Sequence, residues 1–358
     1  MSRAYNFSAG PAVLPLEVLQ SAQEDLVDYK GTGMSVMEMS HRGKTYDAIH
    51  QEAIATFKEL CGLNDDWSVC FIQGGASLQF AMIPMNFLGA DQVADYANQG
   101  TWPNKALKEA QAIGRVNVAA NCQKDIPARM PADDEFKWTP GAAYSHICSN
   151  ETISGAELKK FPVTGSPLIC DMSSDILSCE RDYTQFAMFY AGAQKNLGPS
   201  GMAVVAIRKE FAARGSQTIP TMLQYRTFVD NDSLYNTPPC WSIYIFGETM
   251  KWVKKRGKEN LFRLDEEKAK KIYDVIDGSG FYRGTALKEY RSNMNVTWRL
   301  PTEELEAQFI KDAAALGMSS LKGHRSVGGV RASIYNAFPM SGVDALVDFM
   351  KEFERKNG

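Results

Sequence analysis

Lys195 stands in the run Ala191-Gly192-Ala193-Gln194-Lys195-Asn196-Leu197-Gly198-Pro199-Ser200-Gly201, among small, uncharged residues. Most lysines keep a hydrated ammonium in open water. A lysine in a glycine-rich turn without neighbouring charge is poorly placed for that role, and such an amine can shed its proton and attack a carbonyl. The spacing of a nucleotide P-loop is not present, so phosphate cradling of that type does not account for the glycines. Upstream, the apolar run Pro167-Leu168-Ile169-Cys170 ends in Asp171 and continues as Met172-Ser173-Ser174. In a parallel α/β sheet, functional side chains gather at the carboxyl ends of strands. A strand-end aspartate with a strand-end lysine is the pair required by pyridoxal 5'-phosphate, whose aldehyde forms a Schiff base with an amine. That cofactor withdraws electrons well only when its ring nitrogen is protonated. An ionised carboxylate at about 4 Å and an effective dielectric near 20 contributes on the order of 4 kcal/mol. This equals roughly three pKa units, and a neutral Asn could not supply it. Read alone, Asp171 serves equally well as a helix N-cap or turn residue, and an isolated Lys is ordinarily a surface residue.

Further parts follow the same pattern. Phe71-Ile72-Gln73-Gly74-Gly75-Ala76-Ser77-Leu78-Gln79-Phe80 reads as a strand, a glycine turn and a helix whose N-terminus favours an anion. Trp102 lies in Gln99-Gly100-Thr101-Trp102-Pro103, where Pro103 suits the first position of a helix. Its indole could stack on a flat ring, or simply pack in the core. Two His-Arg doublets occur, His41-Arg42 and His324-Arg325, with Arg331 six residues beyond the second, in a chain of only four histidines. Arg grips carboxylate or phosphate with a planar, two-pronged donor set. Gly323, Gly328 and Gly329 surround the second doublet and permit close backbone approach.

In this order the residues resemble the phosphoserine aminotransferase family, of the class V aminotransferases with the aspartate-aminotransferase fold. The resemblance covers essentially the whole chain. It runs from Asn6-Phe7-Ser8-Ala9-Gly10-Pro11-Ala12 through Ser40-His41-Arg42, Asn150-Glu151-Thr152-Ile153 and Asp171-Met172-Ser173-Ser174. It continues through Gly192-Ala193-Gln194-Lys195-Asn196 and Asn236-Thr237-Pro238-Pro239 to the stretch Gly323–Ser333. The resemblance implies that Lys195 carries the Schiff base and that Asp171 pairs with the pyridine nitrogen. Trp102 would stack on the ring and Thr152 would reach its phenolic oxygen. Ala76, Ser77 and Gln194 would hold the cofactor phosphate. Asn236 and Thr237 would complete the site of a neighbouring subunit, so a homodimer is implied. Arg331 would bind the substrate's α-carboxylate, and His41, Arg42, His324 and Arg325 its distal anion. Some members have an Arg in the glycine turn, where this chain has Ala76-Ser77; that implies one cation fewer, or another group in its place. No metal is implied.

The implied activity is reversible transamination, converting 3-phosphohydroxypyruvate and L-glutamate to O-phospho-L-serine and 2-oxoglutarate in serine biosynthesis. Lys195 would be both covalent anchor and the base that moves the Cα proton. Whether 3-hydroxy-2-oxo-4-phosphooxybutanoate of pyridoxine biosynthesis is also accepted stays open. Three rivals compete. Another class V enzyme such as alanine–glyoxylate aminotransferase would not need the second His-Arg doublet, and a cysteine desulfurase would need a late nucleophilic Cys, whereas none follows Cys240. A dinucleotide-dependent dehydrogenase lacks its glycine fingerprint here. A non-catalytic module is hard to reconcile with Asp171, Lys195 and Trp102 all present.

The elements that must position these residues alternate along the chain. Helical spacing covers 16–29, 46–60 and 102–113, and short apolar runs mark strands at 68–72, 92–97, 115–118, 143–148, 168–170, 186–190 and 202–207. The class expected is α/β, a mainly parallel but mixed seven-stranded sheet flanked by helices, with a smaller α+β C-terminal domain. Helices are expected at 241–256, 259–276, 302–316 and 343–353, and further strands at 295–299 and 329–334. The large domain is assigned to 15–262 and the small one to 263–358, with segment 1–14 joining them. The basic end of the 241–256 helix, Lys251, Lys254, Lys255 and Arg256, reads as a solvated helix terminus.

Composition sets outer limits. With 358 residues, 44% hydrophobic and 23% charged, the chain is an ordinary globular one, and its net charge of −3 offers no general attraction to nucleic acid or acidic membranes. Seven cysteines without a Cys-x-x-Cys pair read as free thiols. No apolar signal core opens the chain and no apolar run approaches the roughly 18 residues of a membrane span. Cytoplasmic location is the expectation.

Overall fold

Seven short segments form the central sheet; the inner ones are near-continuously apolar because both their faces are buried, whereas the edge strand Arg115–Asn121 is mixed and partly exposed. The computed structural model describes residues 3–358. From edge to edge the strands run Trp67–Gln73, Met202–Arg208, Met188–Gly192, Leu168–Asp171, Ser145–Cys148, Val93–Asn98 and Arg115–Asn121. Met202–Arg208 is antiparallel to both neighbours, and the other pairings are parallel. The sheet is therefore mixed. Trp67–Gln73 points the same way as the parallel strands, so its carboxyl end shares their edge.

Alternation along each strand sorts side chains to two apolar layers. Phe71 and Phe189 pack on one face with Phe57 and Phe246, from the helices Lys44–Cys61 and Cys240–Arg256. Ile72 and Tyr190 pack on the other with Ile83 and Leu107, from the helices Gly75–Phe87 and Thr101–Ile113. A third apolar cluster joins Trp298, Phe309, Leu346 and Phe353 with Phe7. It lies between a three-stranded antiparallel sheet, Arg283–Gly284, Asn295–Arg299 and Val330–Ser333, and the helices Lys258–Gly278, Glu303–Ala315 and Met340–Asn357. The Lys258–Gly278 helix is shared, with Leu261 in the first cluster and Ala269 in the third. Near the start of the chain, Tyr5–Asn6 pairs with Met318–Ser319.

Several expected boundaries shift. The helix expected over 16–29 ends at Glu24, because Leu26 and Val27 turn outward (42% and 78% exposed) and the chain closes instead into a 3₁₀ turn at Tyr29–Gly31. The helix around Trp102 starts at Thr101, so Pro103 occupies its third position rather than its first. There its missing N–H still costs no intrahelical bond. The strand expected at 186–190 is displaced to Met188–Gly192, and the last helix extends to Met340–Asn357. A two-stranded hairpin, Asn150–Glu151 with Ala156–Glu157, has no counterpart among the expected elements. The basic helix end ties to other helices by the ion pairs Lys251–Glu52, Lys254–Glu59 and Arg256–Glu17.

Candidate active site

The sheet's carboxyl edge brings together residues far apart in sequence. Leu168–Asp171 ends in Asp171, Met188–Gly192 leads into Gln194 and Lys195, and Trp67–Gln73 feeds the Gly74-Gly75 turn. Ser200 and Gly201 sit at the same edge, because the antiparallel strand Met202–Arg208 begins there. These segments enclose a cavity of about 460 Å³. Its walls include seven of the residues singled out in the sequence: Ala76, Ser77, Trp102, Thr152, Asp171, Gln194 and Lys195.

Lys195 is buried at 8% exposure, and its Nζ donates to Thr152 Oγ1 at 2.7 Å. Burial lowers its pKa; the charges of Asp171, Cys148 and Glu151 oppose this, and Arg331 reinforces it. The Lys195 amine therefore has a neutral hydroxyl as hydrogen-bond partner rather than a carboxylate. Asp171 is buried as well. Ser173 N and Ser173 Oγ both donate to its Oδ1, at 2.9 and 2.6 Å, which leaves Oδ2 without a hydrogen-bond donor among the described residues. One oxygen of Asp171 thus makes the turn, and its carboxylate lines the cavity. Burial raises the Asp171 pKa, against the Ser173 hydrogen bonds and the Lys195 charge. A cation facing Oδ2 would oppose that rise and favour the ionised form.

Gly74 and Gly75 have φ of 94° and 65°, a left-handed pair that turns the strand directly into the Gly75–Phe87 helix. No side chain caps that helix, so the N–H groups of its first turn, where Ala76 and Ser77 lie, remain available to an anion. Gln194 folds back over Gly192, where a Cβ would lie only 2.8 Å from Gln194 Oε1. Its carbonyl accepts from Ala12 N at 2.8 Å, and this draws Gly10 and Pro11 into the cavity wall. Trp102 is half-buried, with the Lys195 amine 5.9 Å from its ring centroid and its own Nε1 sequestered without a partner among the described residues. Thr152 sits at the tip of the unexpected hairpin, and its carbonyl accepts from Arg331 Nη1 at 3.3 Å. Arg331 Nε has no partner among the described residues. A flat, anionic, aldehyde-bearing group such as pyridoxal phosphate fits this donor set. It offers a buried amine, a carboxylate oxygen without a donor, an uncapped helix start and an indole beside them.

Cations gather around His324. His324 is half-buried and shares a hydrogen bond with Ser326 Oγ at 2.8 Å through Nδ1. Its pKa is lowered by burial and by the charges of Arg331, Arg325 and Lys105. Lys105 was not anticipated, although it lies one helical turn after Trp102 and places its Nζ 4.3 Å from that ring's centroid. Arg325 is exposed. His41, Arg42, Asn236 and Thr237 do not line this chain's cavity, and neither do His324, Arg325 and Arg331; Arg331 lines a second cavity of about 500 Å³ with Gly323 and Ser326. His41 is half-buried with Nε2 unpartnered among the described residues, Arg42 is exposed, and Asn236 Nδ2 donates to Thr237 O at 3.1 Å. Sequence reasoning also passed over Glu151, Asn150, Ser173 and Ser174. Their only signal was membership of the quoted runs around Thr152 and Asp171.

Comparison with known proteins agrees with this geometry. The class V aminotransferase family model matches residues 4–346. A phosphoserine aminotransferase of Niallia circulans is 55% identical, over 99% of each chain. The solved phosphoserine aminotransferase of Bacillus circulans subsp. alkalophilus superposes with a TM-score of 0.96 at 53% identity, covering 99% of both chains. A pyridoxal-phosphate-bound phosphoserine aminotransferase from Trichomonas vaginalis gives a TM-score of 0.94 at 41% identity, over 98% of this chain and 100% of that one. An alanine–glyoxylate aminotransferase from Nostoc, at 15% identity and a TM-score of 0.80 over 99% and 96% of the two chains, shares the fold alone.

Proposed function

The chain belongs to the class V aminotransferases, among the phosphoserine aminotransferases, and from that membership we propose how its own residues carry out the reaction. It is a pyridoxal-phosphate-dependent transaminase. It exchanges an amino group between L-glutamate and 3-phosphohydroxypyruvate, giving 2-oxoglutarate and O-phospho-L-serine, reversibly. When bound, pyridoxal phosphate supplies an aldehyde to accept the amino group and a ring to hold electrons released at the substrate Cα.

The observation that carries the residue assignment is the buried Lys195 amine, 2.7 Å from a neutral hydroxyl and across the cavity edge from the Asp171 carboxylate. With the cofactor bound, Lys195 would anchor its aldehyde, and the freed Lys195 amine would take the substrate Cα proton and return it. Burial favours its neutral form, as a base requires. Asp171 holds the ring nitrogen's proton. Ala76, Ser77 and Gln194 receive the cofactor phosphate, Trp102 lies against the ring and Thr152 orients its phenolic oxygen. Arg331 takes the substrate's α-carboxylate, and His324 and Arg325 take the distal anion, with Lys105 beside them. One cationic group serves both donor and acceptor, because carboxylate and phosphate occupy the same end of the two substrates.

The same reading extends to a homodimer in which Asn236 and Thr237 reach the neighbouring cofactor phosphate, and His41 and Arg42 the substrate anion. Arg42 and Thr237 are exposed and His41 and Asn236 only half-buried, which leaves them accessible to a second copy. It extends to the domains 15–262 and 263–358, supported by the change of apolar cluster between Leu261 and Ala269. It extends to 3-hydroxy-2-oxo-4-phosphooxybutanoate as a further substrate, which carries the same keto acid and distal phosphate. Cytoplasmic location is supported by seven unpaired cysteines. No helix among the described residues is long and apolar enough to cross a membrane.

The test is a half-reaction. Glutamate added to the cofactor-loaded protein should convert its visible absorption to that of the amine form. 3-Phosphohydroxypyruvate should restore the aldehyde form, and pyruvate should do so poorly. Equal restoration by both would reject the distal-anion assignment.

A further inference from the structure

Glu151 is a fully buried carboxylate that the reaction above does not use. Its two oxygens divide between two segments. Oε2 accepts from Trp102 N at 2.9 Å, and Oε1 accepts from Ile153 N at 3.1 Å. The first contact has a local cause. The Thr101–Ile113 helix has Gly100 as its N-cap, which offers no side chain, and Trp102 is the second helical residue, whose N–H an N-cap side chain would normally satisfy. Glu151 supplies that acceptor from a remote hairpin. The second contact fixes the backbone just beyond Thr152. Gly100 is matched to this arrangement, since a Cβ there would lie 2.5 Å from Glu151 Cγ. The Gly100 backbone is extended, with φ 166°, so it is the space that demands glycine and not the dihedral.

The two segments joined by Glu151 are those that meet the Lys195 amine. Thr152 Oγ1 accepts from it, and the Trp102 ring lies beside it. We infer that Glu151 is a positioning residue, a carboxylate clamp that holds Trp102 and Thr152 in fixed register around Lys195 and so sets the orientation of the ring bound there. The clamp sits in the field of Lys195, Asp171, Arg331 and Cys148. Burial pushes its pKa up to about 7, with the Trp102 and Ile153 hydrogen bonds and the Lys195 charge opposing.

This inference rests on the reading that Lys195 carries pyridoxal phosphate, and the test separates the two. Borohydride reduction of the cofactor-loaded native protein first establishes the link at Lys195; its failure would remove the reading and the clamp together. Three loaded variants are then compared: Glu151→Ala, Glu151→Gln and Gly100→Ala, the last displacing the carboxylate without removing it. Glu151→Ala and Gly100→Ala should release cofactor about tenfold faster on dialysis, for the loss of buried hydrogen-bond acceptors. Both should alter the visible circular dichroism of the bound ring. Glutamate KM should stay within about twofold while kcat falls. Glu151→Gln keeps one acceptor oxygen and should lie between. A merely structural role would lower the melting temperature and leave the ring's dichroism native. A native link at Lys195, with native dichroism and cofactor release in folded Gly100→Ala and Glu151→Gln, would overturn the clamp alone.

Discussion

At Lys195, burial and charge pull the amine in opposite directions. Desolvation favours the neutral base, and Asp171 is the largest influence holding the proton on. Asp171→Asn therefore has two expected effects. Removing the negative charge lets the Lys195 amine lose its proton at lower pH, so the pH titration of the cofactor link should move downward. Removing the ring nitrogen's counter-charge should lower kcat by about three orders of magnitude, from roughly 4 kcal/mol at 4 Å. An unchanged kcat with a native titration would return Asp171 to its turn role, which Ser173 already satisfies through Oδ1. At this scale the sequence was most legible where chemistry restricts residue type. Lys195, Asp171 and Trp102 stood out by their setting. Glu151 and Lys105 did not, because a buried clamp and a partner one helical turn away leave no local pattern. Only the fold brings Glu151 to the N-terminus of another helix.

The elements explain why such distant residues converge. Strands at 168–171 and 188–192 present successive segments to one edge, and the antiparallel strand Met202–Arg208 returns Ser200 and Gly201 to it. The seven strands could be read from apolar runs because a sheet covered on both faces needs them. Their ends were less legible, since hydrogen-bond pairing moves a boundary without changing composition. Phe186 shows this: it is buried, yet residue pairing begins only at Met188. Periodicity misjudged 25–29 for the opposite reason, as Leu26 and Val27 keep the helical spacing but face outward. The hairpin that carries Thr152 is too short for any periodic signal.

For the whole molecule, a net charge of −3 coexists with a local cationic group, because Lys105, Arg325 and Arg331 are gathered around His324. The proposed dimer belongs to this scale. Asn236→Ala/Thr237→Ala should weaken cofactor retention about tenfold, for the loss of charge-assisted hydrogen bonds to a phosphate. Co-expressed with inactive Lys195→Ala, it should regain native retention and activity at one of the hybrid's two sites, the one that has both Lys195 and an intact Asn236-Thr237 pair. Absence of recovery in a hybrid shown to form would reject the shared site. The proposed sharing of the site between copies came only from family resemblance, because nothing in composition or periodicity distinguishes a residue that would serve a second subunit.

The most direct measurement traps the bond itself. Cofactor-loaded protein is treated with borohydride, digested and mapped by mass spectrometry. The account requires a reduced pyridoxyl adduct on the peptide containing Lys195, and none in Lys195→Ala. An adduct on a different lysine, or none on the native protein, would contradict it.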